Sequence, residues 1–78
     1  MKTTEYFRMI RLREDRAWIE NEWIIKARDH PEREWIQADG RIRRWAKIEE
    51  AGGKYLRVVL LPDGETVHNA FFDRDYKP

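Results

Sequence analysis

Arg43, Lys47, Tyr55, Arg57 and His68, with the indole of Trp45, are the side chains in this 78-residue sequence best suited to phosphate chemistry. Arg43, Trp45 and Lys47 recur at every second position, so an extended strand presents them on one face. Guanidinium groups bind phosphate oxygens through paired hydrogen bonds, and an indole can stack on a base. A solvated sheet face kept soluble by its charges gives the same string. His68 is expected within a strand, beside Val59 and near Arg57, where an imidazole can exchange a proton near neutral pH. An imidazole packed by its ring is the plainer alternative.

These residues depend on one organising stretch, Lys54 to Arg74. Two runs of β-branched and aromatic residues flank Pro62-Asp63-Gly64 there, the signature of a β-hairpin turning at Asp63-Gly64. A two-residue loop pairs Val59 with His68, Val58 with Asn69, Arg57 with Ala70 and Leu56 with Phe71. Alternation then puts Leu56, Val58, Leu60, Val67, Asn69 and Phe71 on the core face. The other face receives Tyr55, Arg57, Val59, Leu61, Thr66, His68, Ala70 and Phe72. Asn69 is uncomfortable in a core: it either finds partners there or marks a bulge or a site. Asp73-Arg74, close to Tyr55 across the hairpin, reads as a strand end with a surface ion pair.

Ahead of this hairpin, Ala38-Asp39-Gly40 separates Trp35-Ile36-Gln37 from an alternating arm, Arg41 to Ile48, and predicts a second hairpin at Asp39-Gly40. Glu49 to Gly53 links the two. Trp18, Ile19, Trp23, Ile24 and Ala27 follow helical spacing, so a helix is expected from about Glu20 to Asp29, stopped by Pro31. His30 stands at its end, where its side chain can meet the last carbonyls. Residues 4–13 fit helix or strand. Helix is preferred, capped by Thr3 or Thr4 with Glu5 in its first turn, and Arg11 to Arg16 is then its exit. Residues 1–78 are therefore expected to form one α+β domain, two N-terminal helices packed on an antiparallel sheet of about four strands.

Composition excludes several classes of function. A chain this short buries only about 60% of its unfolded surface, so it must rely on its four Trp, three Tyr and three Phe. The net charge of +1 supplies no overall field towards nucleic acid or membrane. No Cys and only two His argue against a disulfide framework or a thiolate metal site, and fit a reducing cytoplasm. There is no glycine-rich phosphate loop and no nucleophile elbow, so no cofactor or metal is expected. The longest apolar run, Val58 to Leu61, is far short of the roughly 20 residues that span a bilayer, so no membrane partner is expected.

Residues 40–78, with GRIRRW, KYLRVV and ETVHNAFFDR as their most specific words, resemble a family of small uncharacterised prokaryotic proteins. The resemblance extends back through the EWI of residues 22–24. That family in turn distantly resembles toxins of the RelE and BrnT kind, with a barnase-like ribonuclease fold and an antitoxin encoded by a neighbouring gene. The resemblance implies cleavage of RNA by Arg, Lys and Tyr side chains, with Arg43, Lys47, Tyr55, Arg57 and His68 as matching types; such cleavage is expected to need no metal, and Trp45, from the strand pattern, is expected to stack a base. The low net charge departs from the usual basic toxin. A non-catalytic interaction module, covered by a protein partner or as a homodimer through Val59, Leu61 and Phe72, is the competing expectation.

Overall fold

The computed structural model describes residues 1–78. Helix α1 spans Glu5–Ile10 and is capped by Thr4, whose hydroxyl accepts the Phe7 N–H at 3.1 Å. It buries Phe7 and Ile10. The charged run does not pass as a plain connection: it contains a single helical turn, α2, at Glu14–Ala17. Helix α3, Asn21–Asp29, buries Trp23, Ile24 and Ala27 and ends at His30, before Pro31. At that end the Arg28 carbonyl is taken by Arg44 at 2.7 Å rather than by the His30 ring, while the His30 backbone N–H reaches the Lys26 carbonyl.

Strands β1 (Arg33–Ile36), β2 (Ile42–Ile48), β3 (Lys54–Leu60) and β4 (Val67–Phe72) form an antiparallel meander in that order. The helices pack on one face. There Ala46, Ile48, Leu56, Val58, Leu60, Val67 and Ala70 close over Phe7, Ile24 and Ala27 to make the core. No helix is long and apolar enough to cross a membrane.

The first hairpin turns through Ala38-Asp39-Gly40. Gln37 and Arg41 close the loop, and Gly40 takes φ +90°, which a side chain would oppose. The second is longer than the expected two-residue loop. Leu61 and Thr66 close a four-residue loop, Pro62 to Glu65, in which Gly64 alone has positive φ, +71°. Asp63 keeps ordinary φ because its carboxylate gathers the Glu65 and Thr66 N–H groups and the Thr66 hydroxyl, making a side-chain turn of its own.

The expected pairing holds next to the turn, where Leu60 faces Val67, and then slips by one residue. Val59 faces Asn69, Arg57 faces Phe71 and Leu56 faces Phe72, so His68 is the extra residue of a β-bulge. The slip reverses the face of everything after it. Asn69 and Phe71 lie on the helix-free face, and Ala70 and Phe72 lie under the helices, against the expected assignment. Hydrogen bonding explains the slip. Val67 turns its N–H to the Lys2 carbonyl and its carbonyl to the Thr4 N–H, while the bulge spares the Asn69 amide from burial.

Candidate functional site

The helix-free face is built in rows across the strands. Trp35, Arg43, Val59 and Asn69 stand in one row, and Arg33, Trp45, Arg57 and Phe71 in the next. At the His68 end of this face lies an open depression of about 460 Å³. Arg41, Arg43 and Arg57, the amides of Gln37 and Asn69, and the His68 ring line it beside Tyr6. No carboxylate lines it; Asp39 stands 3.9 Å from Arg41 and Asp73 3.7 Å from Arg57 behind the lining, and the surplus of guanidinium groups over these two acids suits an anion.

Each group is held by named neighbours. Arg43 donates Nε to Gln37 Oε1 at 2.7 Å and lies 4.6 Å over the Trp35 ring, fixing its guanidinium above the strand. Arg57 is wedged against Phe71, 4.4 Å from the ring. Its Nε is hidden from solvent without a hydrogen bond, and Asp73 Oδ2 stands 3.7 Å away. Burial lowers the Arg57 pKa, Asp73 opposes that shift, and the guanidinium remains the charged form at neutral pH. Asn69 Oδ1 accepts from Arg16 at 2.9 Å and from the Ala70 N–H, leaving its NH₂ as a donor.

His68 projects from the bulge. Its Nδ1 is 3.0 Å from the Thr4 hydroxyl, and the Tyr6 ring stacks on it at 4.9 Å. The hydroxyl orients the ring whichever partner carries the proton. Burial first, and the Arg41 charge second, lower the His68 pKa, favouring the neutral imidazole that can accept a proton.

The structure thus brings Arg43, Arg57 and His68 together around one depression, which Lys47, Tyr55 and Trp45 do not line. Lys47 is four residues from Arg43 along β2, ~13 Å, and is exposed beside Glu49, 3.6 Å away. Tyr55 pairs with Lys47 and contacts the Tyr76 ring at 4.8 Å, outside the depression. Trp45 is not the open stacking surface expected: it is 6% exposed, because Tyr76 stacks on it at 5.1 Å and Asp73 accepts its indole N–H at 2.9 Å. Asp73 accordingly pairs with Arg57 rather than with Arg74. Trp35, 55% exposed, is the free indole on this face.

Arg41 and Gln37 join the site as neighbours across the first hairpin, which the alternation of Arg41 with Arg43 signals. Thr4 and Tyr6 carry no such signal, since they meet His68 only through the fold. A larger cleft, about 580 Å³, runs between Trp18, Tyr55, Phe71 and Tyr76. It is lined by Asp15 and Asp73 as well as Arg16, Lys54 and Arg74, so its charges offset one another and it is the weaker anion site. No three His, Cys, Asp or Glu side chains lie together in a way that could hold a metal ion. No protein-family model, no curated protein and no solved structure matches this chain.

Proposed function

We propose that the helix-free face binds single-stranded RNA and that the protein is a toxin-like endoribonuclease acting without a metal ion. The observation that carries this reading is the convergence of Arg41, Arg43, Arg57, Asn69 and His68 on one depression free of carboxylates. A phosphodiester there meets guanidinium donors that neutralise the charge building on its oxygens as the phosphorus becomes five-coordinate. Neutral His68 takes the proton of the ribose 2′-hydroxyl. The resulting alkoxide attacks phosphorus, the bond to the 5′-oxygen breaks, and that oxygen takes a proton from water, because neither Tyr55 nor Lys47 reaches the depression. The products are a 2′,3′-cyclic phosphate and a 5′-hydroxyl. Trp35, beside Arg43, offers its exposed face to a neighbouring base.

Incubating the purified protein with single-stranded RNA in the presence of EDTA tests this. Cleavage leaving cyclic phosphate ends, blocked by 2′-deoxy substitution at the scissile nucleotide, is the expected result. Intact RNA, or cleavage indifferent to the 2′ position, would sink the mechanism.

The interaction-module reading draws on a different observation. Val59 and Phe72 are not available to a partner: Val59 is buried, and Phe72 is stacked against Trp18 at 4.9 Å. The edge strand β1 is available, with Trp35 and Ile36 more than half exposed and an unpaired outer edge. A homodimer, or an antitoxin from the neighbouring gene, adds a strand there in this reading. Solution mass and a pull-down with that gene product test it, and a strict monomer that ignores the product counts against it.

A further inference from the structure

Beyond β4 the chain turns back across the helix-free face. The Asp73 N–H donates to the Tyr55 carbonyl at 2.9 Å, and the Tyr76 ring lies on Trp45 at 5.1 Å, the two planes 19° apart. Tyr55 touches the same ring from beside Trp45, at 4.8 Å. Asp73 Oδ2 accepts the Trp45 indole N–H at 2.9 Å and faces Arg57 Nε across 3.7 Å, too far for a hydrogen bond. That Nε is the one buried side-chain polar atom without a partner.

Each of these contacts has a counterpart in the way a nucleotide is held. A flat ring lies on an indole, and an anion accepts from an N–H while facing a guanidinium. Tyr76 stands where a base stacks and Asp73 where a phosphoryl oxygen binds. The fit of the carboxylate is incomplete, because a carboxylate on a short side chain leaves Arg57 Nε unpaired, and a phosphate has more oxygens with which to reach it. The groove that receives Tyr76 is also bordered by Arg33, Arg43 and Arg57. Arg43 and Arg57 line the His68 depression as well, so the two concavities adjoin at these two side chains.

We propose that Trp45, Tyr55 and Arg57 form a second nucleotide subsite, filled in cis by Tyr76 and Asp73 and opened to single-stranded RNA when the segment from Asp73 onward lifts away. The inference rests on the reading of this face as an RNA surface. It adds a position where a base adjoining the bound phosphodiester stacks, and it makes the protein's own C-terminal segment a competitor for that position.

A 2′-O-methyl hexauridylate, which binds without being cleaved, is the probe. Its affinity is measured for the unaltered protein, Tyr76→Ala and Asp73→Asn, while NMR follows the Trp45 indole N–H and the His68 ring. Removing Tyr76 frees the indole, so binding is expected to tighten roughly fivefold to tenfold, the equilibrium equivalent of one aromatic stack. The Trp45 indole resonance then moves on adding the oligonucleotide. Asp73→Asn keeps an acceptor for the indole but removes the charge facing Arg57, and is expected to tighten binding as well. It also provides the comparison if Tyr76→Ala proves unstable. Binding that shifts His68 but leaves the indole resonance and both variants' affinities unchanged, or weakens on substitution, overturns the subsite and leaves the RNA reading standing. Absence of binding to all three proteins overturns the RNA reading, and this subsite with it.

Discussion

Deleting His68 is the perturbation that separates the bulged register from a continuous one. In the bulged strand Val67 faces Leu60 and Asn69 faces Val59, so removing the residue between them leaves every later pair in place. Asn69 and Phe71 stay on the open face, and Ala70 and Phe72 stay under the helices. The losses are local. They comprise the hydrogen bond to Thr4, about 0.5–1.5 kcal/mol, and the stack on Tyr6, about 0.5–1.5 kcal/mol. A total near 2 kcal/mol lowers the melting temperature of a domain this small by roughly 8–16 °C. Thermal unfolding followed by circular dichroism reads this directly, with His68→Ala as the reference. Were β4 paired without a bulge, Asn69 and Phe71 would be the residues under the helices, and the same deletion would turn both out to the open face and carry Ala70 and Phe72 in. Withdrawing Phe71 from the core is a loss of about 3–5 kcal/mol. A deletion variant with no cooperative unfolding transition would refute the bulge.

Other expected outcomes follow from single residues. Gly64→Val forces a β-branched side chain into φ +71°; with nothing closer than the Arg44 side chain at 3.7 Å, the loss of more than about 1 kcal/mol comes from backbone strain rather than a clash, and calorimetry measures it. Ile24→Ala empties a fully buried position beneath the sheet and is expected to cost about 2–5 kcal/mol in a denaturant titration. The hydroxyl and the two N–H groups that Asp63 accepts hold its pKa down to about 2. Its folded pKa is depressed, so its stabilisation is complete above the ordinary Asp pKa and is lost as the pH falls through that range towards 2. Asp63→Asn is expected to flatten this acid limb of the melting curve, and an unchanged limb would remove the assignment. RNA cleavage by neutral His68 rises with pH through the imidazole pKa, and because burial and Arg41 lower that pKa, the rise is expected below the range of a free histidine. A pH–rate profile with no histidine limb would remove His68 as the base.

The readable parts of this fold are those fixed by neighbours in sequence. Thr4 caps a helix three residues from the N–H that it accepts, Pro31 stops α3 at its own position, and Gly40 and Gly64 declare turns by needing positive φ. Alternation along β2 and β3 likewise put Arg43 and Arg57 on one face, and His68 projects to that face with or without the bulge. Features set at long range escaped. The bulge depends on bonds from Val67 to Lys2 and Thr4, some 63 residues earlier, and nothing within ETVHNAFF announces it except the awkwardness of a buried Asn69. Trp45 alternates with Arg43 as an exposed residue should, yet the chain beyond Phe72 folds back and covers it. Tyr55 and Lys47 share the face with His68, but a shared face fixes side and not distance along the strand.

The reading of the depression as a ribonuclease site is tested most directly by the cleavage rate of single-stranded RNA in EDTA, compared among the unaltered protein, His68→Ala and Arg43→Ala. Both positions are removed from the core, so both variants are expected to stay folded by circular dichroism. Loss of one positioned base is expected to slow cleavage by about 10²–10⁴-fold, and loss of a guanidinium facing the phosphate by about 10²–10³-fold. Folded variants that cleave as fast as the unaltered protein would contradict the account, as would an unaltered protein that leaves the RNA intact.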